Sequence, residues 1–120
     1  MAETKTYAGG CHCGKVRYEV TMEPPTSAMA CNCSICSKKG TLLTFVPMKQ
    51  FKVTTGAGTL SDYQFGKKNI HHLFCPVCGV GSYATGKGPD GTEMAAINVR
   101  CLDGIDLTAI PVTTFNGKDM

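Results

Sequence analysis

Three short runs of cysteine carry most of the chemistry this sequence could perform: Cys11-His12-Cys13-Gly14, Cys31-Asn32-Cys33-Ser34-Ile35-Cys36 and Cys75-Pro76-Val77-Cys78-Gly79, with Cys101 standing alone. Thiolates two or three positions apart can fill two corners of a tetrahedron from one tight turn, which is what a closed zinc site needs. Eight cysteines in 120 residues fall below the roughly 8–10% typical of a disulfide scaffold. In a reducing compartment such clusters point to metal or redox chemistry. The charge agrees with metal. The chain is formally +3, and one zinc on four thiolates plus a second on three would neutralise it. That modest balance lacks the basic field a nucleic-acid partner requires.

Glycines divide the three runs. Cys13 is followed by Gly14 and Cys78 by Gly79, whereas Cys36 is followed by Ser37. A glycine at that position adopts φ > 0 and lets backbone N–H groups turn toward the thiolates. This pairs Cys11, Cys13, Cys75 and Cys78 in a structural zinc site that closes a long loop and contributes directly to folding. Cys31, Cys33 and Cys36 remain as three thiolates without an evident fourth ligand, the open arrangement that zinc enzymes use. The competing readings are a second closed site completed by Cys101, a Cys33–Cys36 redox dithiol, and thiols buried as small hydrophobes. Ser34 is a candidate cap for a short helical turn ending at Gly40, with Lys38 and Lys39 near its C-terminal end.

The elements that must position these residues read as short strands. Lys15 to Met22 alternates, with Val16, Tyr18 and Val20 on one face. Further strands are expected over 26–30, 41–46, 51–54, 60–65, 69–74, 93–99 and 110–115, the last an edge strand because of Pro111. A helical turn is expected over 106–109, and both chain ends are expected to be loose. Fourteen glycines suit many turns. No linker or repeat divides the chain, so 1–120 reads as one domain, mainly β, of two antiparallel sheets. No apolar run is long enough to span a membrane, and MAETKTYAGG does not resemble a signal peptide, so a cytoplasmic protein is expected.

With Gly10 before Cys11, Val16 after Gly14, Ser34 and Gly40 framing the second run, Phe74 before the third, and Asn98-Val99-Arg100-Cys101-Leu102-Asp103-Gly104 downstream, the chain resembles the glutathione-dependent formaldehyde-activating enzyme family, also called the centromere-protein-V family. The resemblance runs from about Gly9 to Phe115. It implies a β-tent fold around a structural zinc on Cys11, Cys13, Cys75 and Cys78. It also implies a second, exchangeable zinc on Cys31, Cys33 and Cys36 beside a glutathione site. The implied reaction joins glutathione and formaldehyde into S-(hydroxymethyl)glutathione, or reverses it as a carbon–sulfur lyase. Glutathione or another small thiol and a small aldehyde are the implied partners.

Other residues are weighed against that site. His71 and His72 face opposite sides of one strand. His72 falls where the resemblance implies a proton donor or substrate contact; the alternative is a hydrogen-bonding or exposed histidine. His12 is expected to point away from zinc. Lys38 and Lys39 are candidates for the glutathione carboxylates, against a plain solvated pair. Lys67 and Lys68 read as an exposed turn. Arg100 would bind a carboxylate or pair with Asp103. Cys101 is a buried thiol, a reactive thiol lining the pocket, or a ligand. Outside the enzyme reading stand a non-catalytic zinc module for a protein partner and a thiol or aldehyde carrier.

Overall fold

The strict alternation of Arg17–Met22 buries Tyr18, Val20 and Met22 and leaves Glu19 and Thr21 in solvent. In the computed structural model, which describes residues 4–23, 28–31, 35–64, 70–88 and 90–115 apart from the side chains of Cys36, Ala57 and Phe115, this segment is strand β2. It pairs with β1 (Lys5–Gly10) on one side and β5 (Phe51–Thr55) on the other. The second sheet has seven strands in the order β10-β3-β4-β9-β8-β7-β6. These are β3 (Ala28–Cys31), β4 (Leu43–Pro47), β6 (Ser61–Tyr63), β7 (Ile70–Phe74), β8 (Tyr83–Lys87), β9 (Glu93–Asn98) and β10 (Val112–Phe115). One helix of a single turn, α1 (Cys36–Lys39), follows β3 and ends on Gly40 at φ 69°. Among the described residues no helix is long and apolar enough to cross a membrane.

The mainly-β, two-sheet expectation holds, with three differences. β1 is an ordered strand rather than a loose end, in register with β2 from Lys5↔Met22 to Gly10↔Arg17. β8 was not anticipated, because Tyr-Ala-Thr-Gly-Lys carries no apolar alternation; it is held by pairing with β7 and β9 on both sides. β10 joins the sheet edge as expected from Pro111, but parallel to β3. The helical turn expected over 106–109 is a 3-10 turn at Leu107–Ala109, capped by the Asp106 carboxylate accepting from the Thr108 amide.

The core lies between the sheets. Ile97, Ala95 and Tyr83 from the large sheet meet Tyr18, Val20 and Phe51 from the small one. Three rings form its centre, with centroids 5.0 Å (Tyr18–Phe51), 4.6 Å (Phe51–Tyr83) and 5.9 Å (Tyr18–Tyr83) apart, in tilted and edge-on arrangements that favour aromatic contact.

One buried polar side chain ties the cysteine-bearing loops to this sheet. Asn98 donates from Nδ2 to the Gly81 carbonyl (3.1 Å), and its Oδ1 accepts from the amides of Leu42 (3.4 Å) and Arg100 (3.2 Å). Truncation would leave buried backbone groups without partners. Asn98→Ala should therefore destabilise the metal-loaded protein by about 2–3 kcal/mol in urea denaturation; a change within about 0.5 kcal/mol would mean these bonds are dispensable.

Candidate metal centre

Each sheet contributes one hairpin to the metal site. Residues 11–16 connect β1 to β2, and residues 75–82 connect β7 to β8. The two turns repeat one pattern. The Cys11 amide donates to Val16 O (3.1 Å), and the Cys75 amide to Val80 O (3.1 Å). Gly14 (φ 84°) returns its amide to Cys11 O, and Gly79 (φ 78°) to Cys75 O. Amide N–H groups are aimed at sulfur in both: Val16 to Cys11 Sγ (3.3 Å) and Val77 to Cys75 Sγ (3.4 Å). These donors stabilise thiolate rather than thiol.

The four sulfurs of Cys11, Cys13, Cys75 and Cys78 all lie within 4.8 Å of one another. Cys11–Cys13 and Cys13–Cys75 are each 3.6 Å apart. A tetrahedron with zinc–sulfur bonds of about 2.3 Å has edges of about 3.8 Å, so the donor set is compatible with a zinc ion. A disulfide would need a sulfur separation of about 2 Å, and every described cysteine is a free thiol.

The electrostatics show why a cation belongs there. Amides lower the Cys78 thiol to about 6, that of Val80 most strongly. At Cys13 the Lys15 amide pulls the same way but is outweighed by desolvation and three neighbouring sulfurs, which push that thiol up to about 11. Four like charges at this spacing oppose one another; a dication removes the conflict and lets all four ionise. His12 is exposed and is not part of the group. Cys101, half-buried with its thiol raised to about 11 by burial, also lies outside it.

Next to the second hairpin is a cleft of about 230 Å³ lined by Ile35, Lys39, Tyr63, His72, Phe74 and the glycines 79 and 81. The period of two along β7 puts His72 and Phe74 on this face and sends His71 to the other, where its Nδ1 meets Asp62 at 2.6 Å. His72 is buried at 8% exposure, and its pKa is lowered by that burial and by the positive charge of Lys39, with Asp62 opposing and His71 adding slightly. Lys39 lies across Gly81, where a Cβ would come within 2.9 Å of Nζ. Lys38 is exposed and does not line the cleft.

Of the three remaining cysteines, Cys31 ends β3, half-buried; Cys33 and the side chain of Cys36 lie outside the described residues, as do Ser34, Lys67 and Lys68. Arg100 is exposed and away from the cleft lining, and Asp103 is ion-paired to Arg17 instead. Arg17 and Asp103 flank the Gly9–Leu102 bridge, a long-range neighbourhood that local spacing does not reveal. Ile35 and Tyr63 are not among the site residues expected from sequence; Phe74 belongs to the motif before the third cysteine run, and its position two residues from His72 on one strand face is the signal that places it here.

Two sheets joined at a four-cysteine cluster compatible with zinc define a mainly-β fold of the metal-anchored kind. The model of the glutathione-dependent formaldehyde-activating enzyme family matches residues 6–116, and the chain belongs to that family. It is also similar to a protein from Rhodobacter sphaeroides solved by crystallography, with 31% identity over 88% of this chain and 99% of that one and a TM-score of 0.76.

Two outcomes follow. Structural zinc in four-thiolate sites contributes on the order of 10 kcal/mol, comparable to a whole domain's stability. Cys75→Ser or exhaustive chelation should therefore abolish cooperative unfolding, read by near-ultraviolet circular dichroism; a folded metal-free protein would refute the assignment. Because the folded pKa of His72 lies below its usual 6.5, the unfolded state binds the extra proton first. Stability from this residue is complete above pH 6.5 and declines as the pH falls through and below that value. His72→Gln should flatten this part of the stability profile in urea titrations between pH 7 and 5.5.

Proposed function

We propose that the protein is a zinc-dependent carbon–sulfur lyase that interconverts S-(hydroxymethyl)glutathione with glutathione and formaldehyde. Family membership supports the reaction class. The observation that carries it is the convergence of Lys39 and His72 on one cleft beside α1, the helix that begins at Cys36. An ammonium group suits a glutathione carboxylate. A largely buried imidazole, held neutral by its surroundings, suits a proton acceptor.

In this reading Cys31, Cys33 and Cys36 hold a second, exchangeable zinc, distinct from the structural ion on Cys11, Cys13, Cys75 and Cys78. Such an ion would lower the pKa of a thiol and favour the thiolate form of glutathione. Lys39 anchors a carboxylate of the peptide, with Lys38 as an outer charge. His72 takes the proton of the adduct's hydroxyl as the carbon–sulfur bond breaks. The carbonyl forms, the sulfur leaves with the bonding pair, and His72 returns the proton to sulfur or water. The reverse sequence adds thiolate to aldehyde. Arg100, outside the cleft lining, is left to meet a carboxylate only at the periphery. Six described free cysteines suit a reducing, cytoplasmic setting.

The test combines metal stoichiometry with turnover. Two equivalents of zinc are expected, one of them perturbed by glutathione. Cys31→Ser should lose that equivalent and keep the fold. His72→Asn should lower kcat/KM for S-(hydroxymethyl)glutathione roughly 10²-fold while retaining both metals. A single equivalent of zinc and no rate above the spontaneous one would favour a non-catalytic zinc module instead.

A further inference from the structure

The pairing register extends the cleft across the large sheet. Tyr63 stands opposite His72, His72 opposite Ala84, Ala84 opposite Ala96, and Ala96 opposite Phe45. Residues paired in this way share a face. The face is the outer one, because the residues alternating with this row, Ile97, Ala95 and Tyr83, are in the core. The row is large at its ends and small in its middle. Phe45 (47% exposed) and Tyr63 (52%) are separated by four strand spacings, about 19 Å. Between them lie His72 and two alanines. The neighbouring row on the same face runs Pro47, Met94, Gly86 and Ile70, again uncharged, with Ile70 half-exposed. The result is a shallow apolar trough, walled by two aromatic rings. It opens directly into the cleft, because Tyr63 and His72 belong to both.

A hydroxymethyl group needs none of this. The formaldehyde carbon carries only hydrogens, and its adduct would end at His72. A larger aldehyde places a substituent on that same carbon, and the floor from His72 over Ala84 to Ala96 spans two strand spacings, about 10 Å. Small side chains there leave room, and beyond His72 the stretch from Ala84 to Phe45 and the row Pro47, Met94, Gly86 and Ile70 carry no polar side chain that an apolar substituent would have to desolvate. Resting on the lyase reading of the cleft, we propose that the preferred substrates are glutathione adducts of apolar aryl or medium-chain alkyl aldehydes. The substituent lies along the Ala84–Ala96 floor toward Phe45. The reaction keeps its balance: R–CH(OH)–S–glutathione gives R–CHO and glutathione, with the hydroxyl proton passing to sulfur.

Unreactive thioethers test the trough without turnover. Calorimetry on the zinc-loaded protein should find S-octylglutathione bound at least about tenfold more tightly than S-methylglutathione. Ala96→Phe, which fills the floor, should reduce that ratio to near one. Phe45→Ala, at an exposed site, should reduce it severalfold even if the first variant folds poorly. Equal affinity of the two thioethers for the native protein would overturn the trough and leave the lyase reading intact, as would a ratio unchanged in both variants. Binding of neither thioether would overturn both readings together.

Discussion

Mutual repulsion among four clustered sulfurs, which one dication would relieve, is the constraint on which this molecule turns. Cys11 and Cys13 belong to the β1–β2 hairpin, Cys75 and Cys78 to the β7–β8 hairpin, and these hairpins belong to different sheets. An ion held there would fasten the two layers at one end, while the rings of Tyr18, Phe51 and Tyr83 fill the space between them. A covalent cross-link over the interval from Cys11 to Cys78 would remove roughly 4 kcal/mol of unfolded-chain entropy. The metal adds its own bonding to a restraint of that kind. A domain of this size, with no tryptophan and a core of modest side chains, has good reason to rely on it.

The same fastening shapes the cleft. Phe74 and Gly79 border ligands Cys75 and Cys78, and Gly81 follows two residues later. Asn98 then holds the Gly81 carbonyl against the large sheet. The wall of the cleft is thus an extension of the metal turn rather than a separate loop, and Lys39 reaches across it only because Gly81 has no side chain. The four-thiolate turn and the cleft surface that faces His72 are therefore parts of one continuous segment.

Much of this was legible in the residues. Gly14 and Gly79 announced the two matching turns, and the cysteines they follow are the ones gathered in space. Alternation marked β2, and period two separated His71 from His72. What the sequence could not disclose was long-range. β1 and β8 have weak local patterns and exist because their neighbours complete their hydrogen bonds. Asp103 lies closer in sequence to Arg100, yet pairs with Arg17, brought near by the Gly9–Leu102 bridge. The row from Tyr63 to Phe45 joins five strands, so no window along the chain contains it.

Charge in the cleft follows from what surrounds it. Burial lowers the proton affinity of His72, an effect that the cation of Lys39 reinforces. An ammonium group and an imidazole of lowered proton affinity thus stand side by side in the cleft. Asp62 opposes the lowering, and its carboxylate meets His71 on the other face of β7. The two histidines at adjacent positions thereby acquire different roles from strand geometry alone. His71 makes an exposed hydrogen bond to Asp62, while His72 stands where the cleft and the apolar sheet face meet.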